Sequence, residues 1–234
     1  MDKRLKKIIL DHRSGDELSR ALEQHQDRLR AISRKLTNMP ALGLKARILA
    51  NICTATARQL KIIQSNIENP TEVLASACRM TFELNLQLRY VQLAEENLED
   101  FTKRRGTEEI ELLNGVLKLS DEQTPPNTRK TLEQRINHIE MQLDKYGGQR
   151  PPKRATHVRE MADAVGLTDE YLALYGFYSK YVHASSWLVN GPKQHTDDEL
   201  FRELFVIKSQ LYAGSTCAQA EELAGSGGAS QPAE

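Results

Sequence analysis

The sequence predicts an all-α protein, a helical bundle of about six to eight helices. Three observations lead there. Nowhere do Val, Ile, Thr and aromatic residues alternate with polar ones over a strand's length between turn residues. Helix start and stop signals recur along the whole chain. Finally, 39% hydrophobic and 27% charged residues over 234 positions are enough to bury a core beneath a solvated surface.

The elements follow in order. Ser14 with Glu17 makes a capping box for a first helix that runs to about Thr37, before Pro40. A second helix spans about 42–67. Asn69-Pro70-Thr71-Glu72 places a cap, a first-turn proline and an acid in succession, opening a third helix that runs past residue 95. Arg105-Gly106 is the only breaker before Leu119, so the helix continues or restarts near Thr107. Thr124-Pro125-Pro126-Asn127 reads as a loop, followed by a helix over Lys130 to Tyr146 with Leu132, Ile136, Ile139 and Leu143 at helical spacing. The basic stretch 149–159 reads as a linker into a short helix near 156–164, and Gly166-Leu167-Thr168 separates that from a helix over about 169–189. Asn190-Gly191-Pro192 stops it, and Thr196 to Glu199 is a second capping box for a last helix to about 223. The expected organisation is an N-terminal helical extension over 1–40, a helical bundle domain over 41–224 and a flexible tail over 225–234.

Composition removes several classes of function. Thirty-two Lys and Arg balance 32 Asp and Glu, so any attraction to a polyanion comes from local clusters. The clusters at Lys3, Arg4, Lys6, Lys7 and at Arg28, Arg30, Arg34, Lys35 read first as solvated faces. Cys53, Cys78 and Cys217 are far apart and read as buried thiols of a reducing compartment. Ile8, Ile9 and Leu10 are too short an apolar stretch for a signal peptide, and no run reaches the ~20 residues of a membrane span. A cytoplasmic protein without membrane contact is expected. No phosphate-binding or dinucleotide glycine motif, no Glu-x-x-His pair and no zinc-ligand spacing occurs, so no metal and no cofactor is expected.

Two helices carry the chemistry. Residues 73–94 show one apolar stripe through Val73, Leu74, Ala77, Thr81, Leu84, Leu88 and Val91, and a second through Ala75, Phe82, Leu86, Tyr90 and Leu93. Such a helix is central and covered on both faces. Arg79 and Glu83 lie one turn apart on the second face, either as an ion pair on a helix edge or as a polar pair held in a cleft. The segment 169–189 holds Tyr171, Tyr175, Phe177, Tyr178, Tyr181 and Trp187. Its apolar face is Leu174, Phe177, Tyr178, Tyr181, Val182 and Leu188, and the opposite side carries Gly176, Ser179, His183, Ser186 and Trp187. Gly176 suggests close approach by another backbone or a ligand, and Lys180 stands beside this face. Ser179 and His183 stack one turn apart, either as a packed polar pair or as chemistry.

The segments ACRMTFELNLQLRYV (77–91) and YLALYGFYSKYVHASS (171–186) resemble an uncharacterised bacterial all-helical family known only as a domain of unknown function. Its pattern is Arg-x3-Glu on one helix, then a distant Tyr, and Ser-x3-His; Arg79, Glu83, Ser179 and His183 stand at the matching positions. That family is remotely similar to the HEPN superfamily of helical bundles, many of which are metal-independent RNases of toxin–antitoxin and phage-defence systems. The resemblance implies a HEPN-like core with an N-terminal helical extension, a homodimer, RNA as substrate and an antitoxin or defence-system partner. HEPN nucleases carry an arginine separated from the histidine by four to six residues. Residues 176–178 read Gly-Phe-Tyr, which leaves Lys180 and Arg79 as the nearby cations.

On the enzyme reading, His183 moves a proton, Arg79 and Lys180 stabilise phosphate charge, and Ser179 orients the imidazole beside Glu83. Tyr175, Tyr178 and Trp187 stack bases, and Arg150, Lys153, Arg154 and Arg159 hold the backbone. The alternative is a catalytically inert helical module that binds a nucleotide, a nucleic acid or a partner protein through the same residues.

Overall fold

The computed structural model describes residues 15–39, 43–68, 70–121, 124–145, 157–190 and 199–226, and within these stretches it holds nine helices and no strand. Helix α1 (Gly15–Thr37) buries Leu18, Leu22, Leu29, Ile32 and Leu36, a 3.5-residue rhythm that lays one stripe along the helix. It forms an antiparallel hairpin with α2 (Gly43–Ser65). Polar side chains register the pair at both ends: Gln64 Nε2 donates to Ser19 Oγ at 2.9 Å, while Ser33 Oγ meets Thr54 Oγ1 at 2.9 Å. Both helices also pack on the last helix, α9 (Glu199–Ser226). Pairs of this kind bury apolar stripes that neither helix could cover alone.

Helix α3 (Thr71–Leu93) begins where the proline and acid signals place it, and it is buried on two sides. Leu74, Ala77, Leu84, Leu88 and Val91 are enclosed on one stripe, and Ala75, Phe82 and Leu86 on the other. It stops at Leu93, not past 95. Ala94 is extended, with φ −154° and ψ 154°, and caps α4 (Glu95–Leu119), whose first turn carries Glu95 and Glu96 against the helix dipole. Asn97 Nδ2 donates to the Tyr90 carbonyl at 2.9 Å and so satisfies an end group that the break leaves open. Gly106, expected as a breaker, lies inside α4. A Cβ there would meet Leu143 Cδ2 at 3.0 Å, so the missing side chain admits the packed neighbour from α5 (Pro126–Lys145). That helix opens at Pro126, inside the expected loop, because proline fits a first helical position.

Helix α6 (Val158–Ala164) ends at Gly166, whose φ of +72° lets Leu167 N donate back to the Ala162 carbonyl at 2.8 Å. Helix α7 covers 168–182 as an α-turn Thr168–Glu170, a π-helical stretch Tyr171–Tyr175 and an α-segment Gly176–Val182. It stops at His183 where a helix to about 189 was expected. Ser185 makes the break: its Oγ donates to the Lys180 carbonyl at 2.8 Å and accepts from Leu188 N at 3.2 Å, capping α8 (Ser186–Asn190).

The chain divides into two compact units, the described parts of Met1–Arg89 with Val158–Glu234 and those of Tyr90–His157. The first encloses Leu22, Leu29, Leu49, Leu60, Phe82, Tyr178 and Phe205 completely. Phe177, Tyr181, Phe201 and Phe205 pack edge to face or tilted at 4.9–6.4 Å in the same unit. No helix among the described residues is long and apolar enough to cross a membrane. Cys53, Cys78 and Cys217 are free and enclosed, and burial pushes each thiol up to about 12, so all three stay protonated near neutrality.

Candidate functional site

Arg79 sits midway along α3, between the two buried stripes, and the helical spacing brings Glu83 under it. Its Nε donates to Glu83 Oε1 at 2.9 Å, and both side chains are 19% exposed. The remaining guanidinium donors point across to α7. Nη2 donates to the Tyr175 hydroxyl, and the guanidinium carbon stands 4.4 Å from the centre of that ring. Nη1 reaches Ser179 Oγ at 3.4 Å and His183 Nε2 at 3.3 Å.

The α7 side of the cluster is built by one helix face and its end. Tyr175 closes the π-helical stretch, and its ring stacks on Tyr171 at 4.8 Å. Ser179 lies one α-turn later, and its hydroxyl hydrogen goes to the Tyr175 carbonyl oxygen at 2.9 Å. His183 is the C-cap: its N–H donates to the Ser179 carbonyl at 3.2 Å, and its backbone turns extended at φ −108°. Its imidazole is exposed, whereas Tyr175, Ser179, Arg79 and Glu83 are half-buried. The cluster is therefore a supported cation with one open edge, at the histidine.

Electrostatics keep the two inner groups in fixed states. Burial works against the charge on Arg79, but the bond to Glu83 and the neighbouring Tyr175 and Glu83 outweigh it and lift its pKa above the ordinary value. Burial and the Glu83 carboxylate also raise Tyr175, against the opposing pull of Arg79, so it remains a phenol. A guanidinium only donates hydrogen bonds, hence the Nε2 that faces it at 3.3 Å carries the imidazole lone pair.

Beneath the cluster runs a buried polar chain. Tyr178 Oη lies 3.0 Å from Tyr212 Oη, and Tyr212 donates to Glu170 Oε1 at 2.6 Å. Lys208 Nζ donates to the same oxygen at 2.8 Å. Burial raises both phenols strongly. Phe82 touches both layers, with ring centres 6.4 Å from Tyr175 and 5.2 Å from Tyr212.

Residues 48–199, more than half of the chain, match the family of unknown function DUF5677, and the match includes Arg79, Glu83, Tyr175, Ser179 and His183. The chain belongs to this family. No curated protein and no solved structure matches it.

In this DUF5677 chain the other expected site residues divide by location. Lys180 is exposed on α7, one residue after Ser179. Tyr178, expected to stack a base, is fully buried and bonded to Tyr212, so it has no free face to offer. Tyr175 presents its hydroxyl and ring to Arg79. Ser179 meets Arg79 rather than orienting the imidazole, because its hydrogen is directed to a backbone carbonyl. Arg159 is exposed and stands 3.9 Å from Asp163. Arg150, Lys153 and Arg154 lie outside the described residues, as do residues 227–234 of the tail expected over 225–234 and the side chain of Trp187, while the last helix runs on to Ser226. Among the described residues nothing lies within 4 Å of where a Cβ of Gly176 would stand, so none of their backbone approaches it. Among the described residues no three His, Cys, Asp or Glu side chains are grouped to hold a metal ion. The Tyr178–Tyr212–Glu170 chain was not visible in the sequence, where Glu170 and Tyr212 carry no motif.

Proposed function

We propose that this DUF5677 protein is a metal-independent RNA endonuclease of the HEPN type, in which Arg79 holds the phosphate and His183 moves the proton. The supporting observation is the approach of Arg79 Nη1 to His183 Nε2 and Ser179 Oγ at 3.3 and 3.4 Å. Both bonds are long, so a phosphate oxygen bearing full negative charge replaces them with shorter charge-assisted ones. Tyr175 and Glu83 hold the guanidinium plane meanwhile, so it needs no rearrangement as phosphorane charge develops. HEPN nucleases place their arginine ahead of the histidine on one helix; here the guanidinium comes from α3.

The chemistry follows from the lone pair on Nε2. His183 takes the proton of the 2′-hydroxyl, the 2′-oxygen bonds to phosphorus, and the bond from phosphorus to the 5′-oxygen breaks. A 2′,3′-cyclic phosphate forms, and the leaving oxygen takes a proton from solvent at the exposed edge. Lys180 adds positive charge nearby. In the cell such a protein belongs to a toxin or phage-defence system of the cytoplasm, is held in check by a partner protein, and works as a homodimer.

The test is cleavage of single-stranded RNA by the purified chain in excess chelator. His183→Ala and Arg79→Ala should each lower the rate about 10²–10⁴-fold, the range ascribed to one acid–base or electrostatic group, and His183→Ala, at an exposed position, should do so with an unchanged melting temperature. Intact RNA after long incubation with the natural chain would end this reading. Glu83 favours a second one, because it already neutralises Arg79: an inert module that binds RNA or a nucleotide through the same cation. RNA that stays whole but binds in an Arg79-dependent way would support it.

A further inference from the structure

We infer that the groove beside the Arg79–His183 pair is a base subsite that takes guanine through the carboxylate of Glu72. The inference rests on the proposed phosphate site, since it supplies the base for the phosphate held there. The groove is open to solvent and offers about 350 Å³ between Gln59 and Ile62 of α2, Glu72, Val73 and Ser76 of α3, and Val182 at the end of α7. Val182 precedes His183, and Ser76 lies one helical turn before Arg79. Ligand sites range over about 300–1,000 Å³, so this one holds a single nucleoside and no larger stretch of chain.

Glu72 gives the groove its selectivity. Its Oε2 is screened from water and has no hydrogen-bond partner among the described residues, a state rare for buried polar atoms. A carboxylate only accepts, so the ligand must bring hydrogen-bond donors. Guanine alone among the four RNA bases sets two adjacent donors, N1–H and N2–H₂, on its Watson–Crick edge. Adenine and cytosine place a ring acceptor there, and uracil flanks its one N–H with carbonyls, each opposing an acceptor to the carboxylate. The terminal torsion of a glutamate is soft, so both oxygens of Glu72 can turn to the two donors. The Gln59 amide offers an N–H for the guanine carbonyl. Ile62, Val73 and Val182 give an apolar wall for the ring, and Ile62 and Val182 are 40% and 38% exposed without a ligand.

The experiment is calorimetric titration of the full chain with guanosine 3′-monophosphate, adenosine 3′-monophosphate and inorganic phosphate. Guanosine 3′-monophosphate should bind at least tenfold more tightly than the adenosine compound. Glu72→Gln should abolish that preference and leave phosphate affinity unchanged. Ser76→Trp, at an exposed position that leaves folding intact, should fill the groove with the same result. Equal affinity of the two nucleotides for the natural chain, or a guanine preference that survives both substitutions, overturns the subsite. Arg79→Ala separates this failure from failure of the phosphate site. Loss of phosphate binding in Arg79→Ala, without any base preference in the natural chain, sinks the subsite alone. A Glu72-dependent guanine preference with phosphate affinity indifferent to Arg79 sinks the phosphate site alone. An oligonucleotide carrying one guanine identifies the source of the base: RNA where it binds as tightly as the mononucleotide, a free nucleotide where it does not bind.

Discussion

Nη1 of Arg79 stands 3.3 Å from Nε2 of His183, across 104 positions of sequence. The donor in this pair is settled, because a guanidinium has no lone pair to accept with. A hydrogen bond across this gap therefore needs the Nε2 lone pair turned toward the cation and the ring proton on Nδ1.

This predicts a tautomer. Nitrogen chemical shifts of His183 should report the Nδ1–H form in the natural chain, and Arg79→Ala should shift the population toward Nε2–H. An Nε2–H tautomer in the natural chain would contradict the pairing and remove the proton acceptor from the proposed reaction.

The buried phenol chain predicts unequal effects of two similar substitutions. Tyr212→Phe takes from Tyr178 its phenol partner and leaves Glu170 only Lys208, and should destabilise the chain by about 1–3 kcal/mol in urea unfolding. Tyr178→Phe removes only the outer group while Tyr212 still donates to Glu170, so its effect should be about 0.5–1.5 kcal/mol. Equal effects would mean that the chain of bonds does not act in sequence.

Gly176 predicts a gain. Its φ is −60° and its missing Cβ faces open space, so Gly176→Ala should raise stability by about 0.4–1 kcal/mol by thermal unfolding. A stabilised variant that also loses RNA binding would show that a ligand lies against this bare face.

Arg28 and Glu221 predict a pH dependence. The Arg28 bond depresses the Glu221 pKa, against burial, through a pair at 2.5 Å that ties α1 to α9. A carboxylate with a depressed folded pKa contributes stability above its unfolded value near 4.5, and loses it as pH falls through the folded value. Both side chains are over 40% exposed, so Arg28→Ala should cost only about 0.2–1 kcal/mol at pH 7. The difference from the natural chain should vanish in acid. A difference that persists at pH 2 would belong to lost packing.

Helix starts and stops were legible wherever the signal is local. Pro70-Thr71-Glu72 opens α3, and Gly166 closes α6, because caps and left-handed glycines act on backbone groups a few residues away. The errors have two sources, a distant packing partner and a serine that caps twice. Gly106 does not break α4, since Leu143 fills the space that a side chain there would occupy. The helix expected to 189 ends at His183 because Ser185 serves two helix ends at once. That break is what leaves the imidazole at an edge.

Composition and periodicity determined an all-helical chain, a third helix buried on two faces, and Arg79 and Glu83 one turn apart. These depend on spacing along one helix, which the backbone repeat sets. Packing across helices assigned the aromatic and polar side chains. Tyr175 and Tyr178 are three positions apart in sequence, yet one holds the guanidinium and the other is sealed against Phe205 and Tyr212. Which face meets which neighbour is fixed by how helices far apart in the chain crowd together. For that reason the arginine beside His183 could be listed from the sequence but brought to it only by the folded bundle.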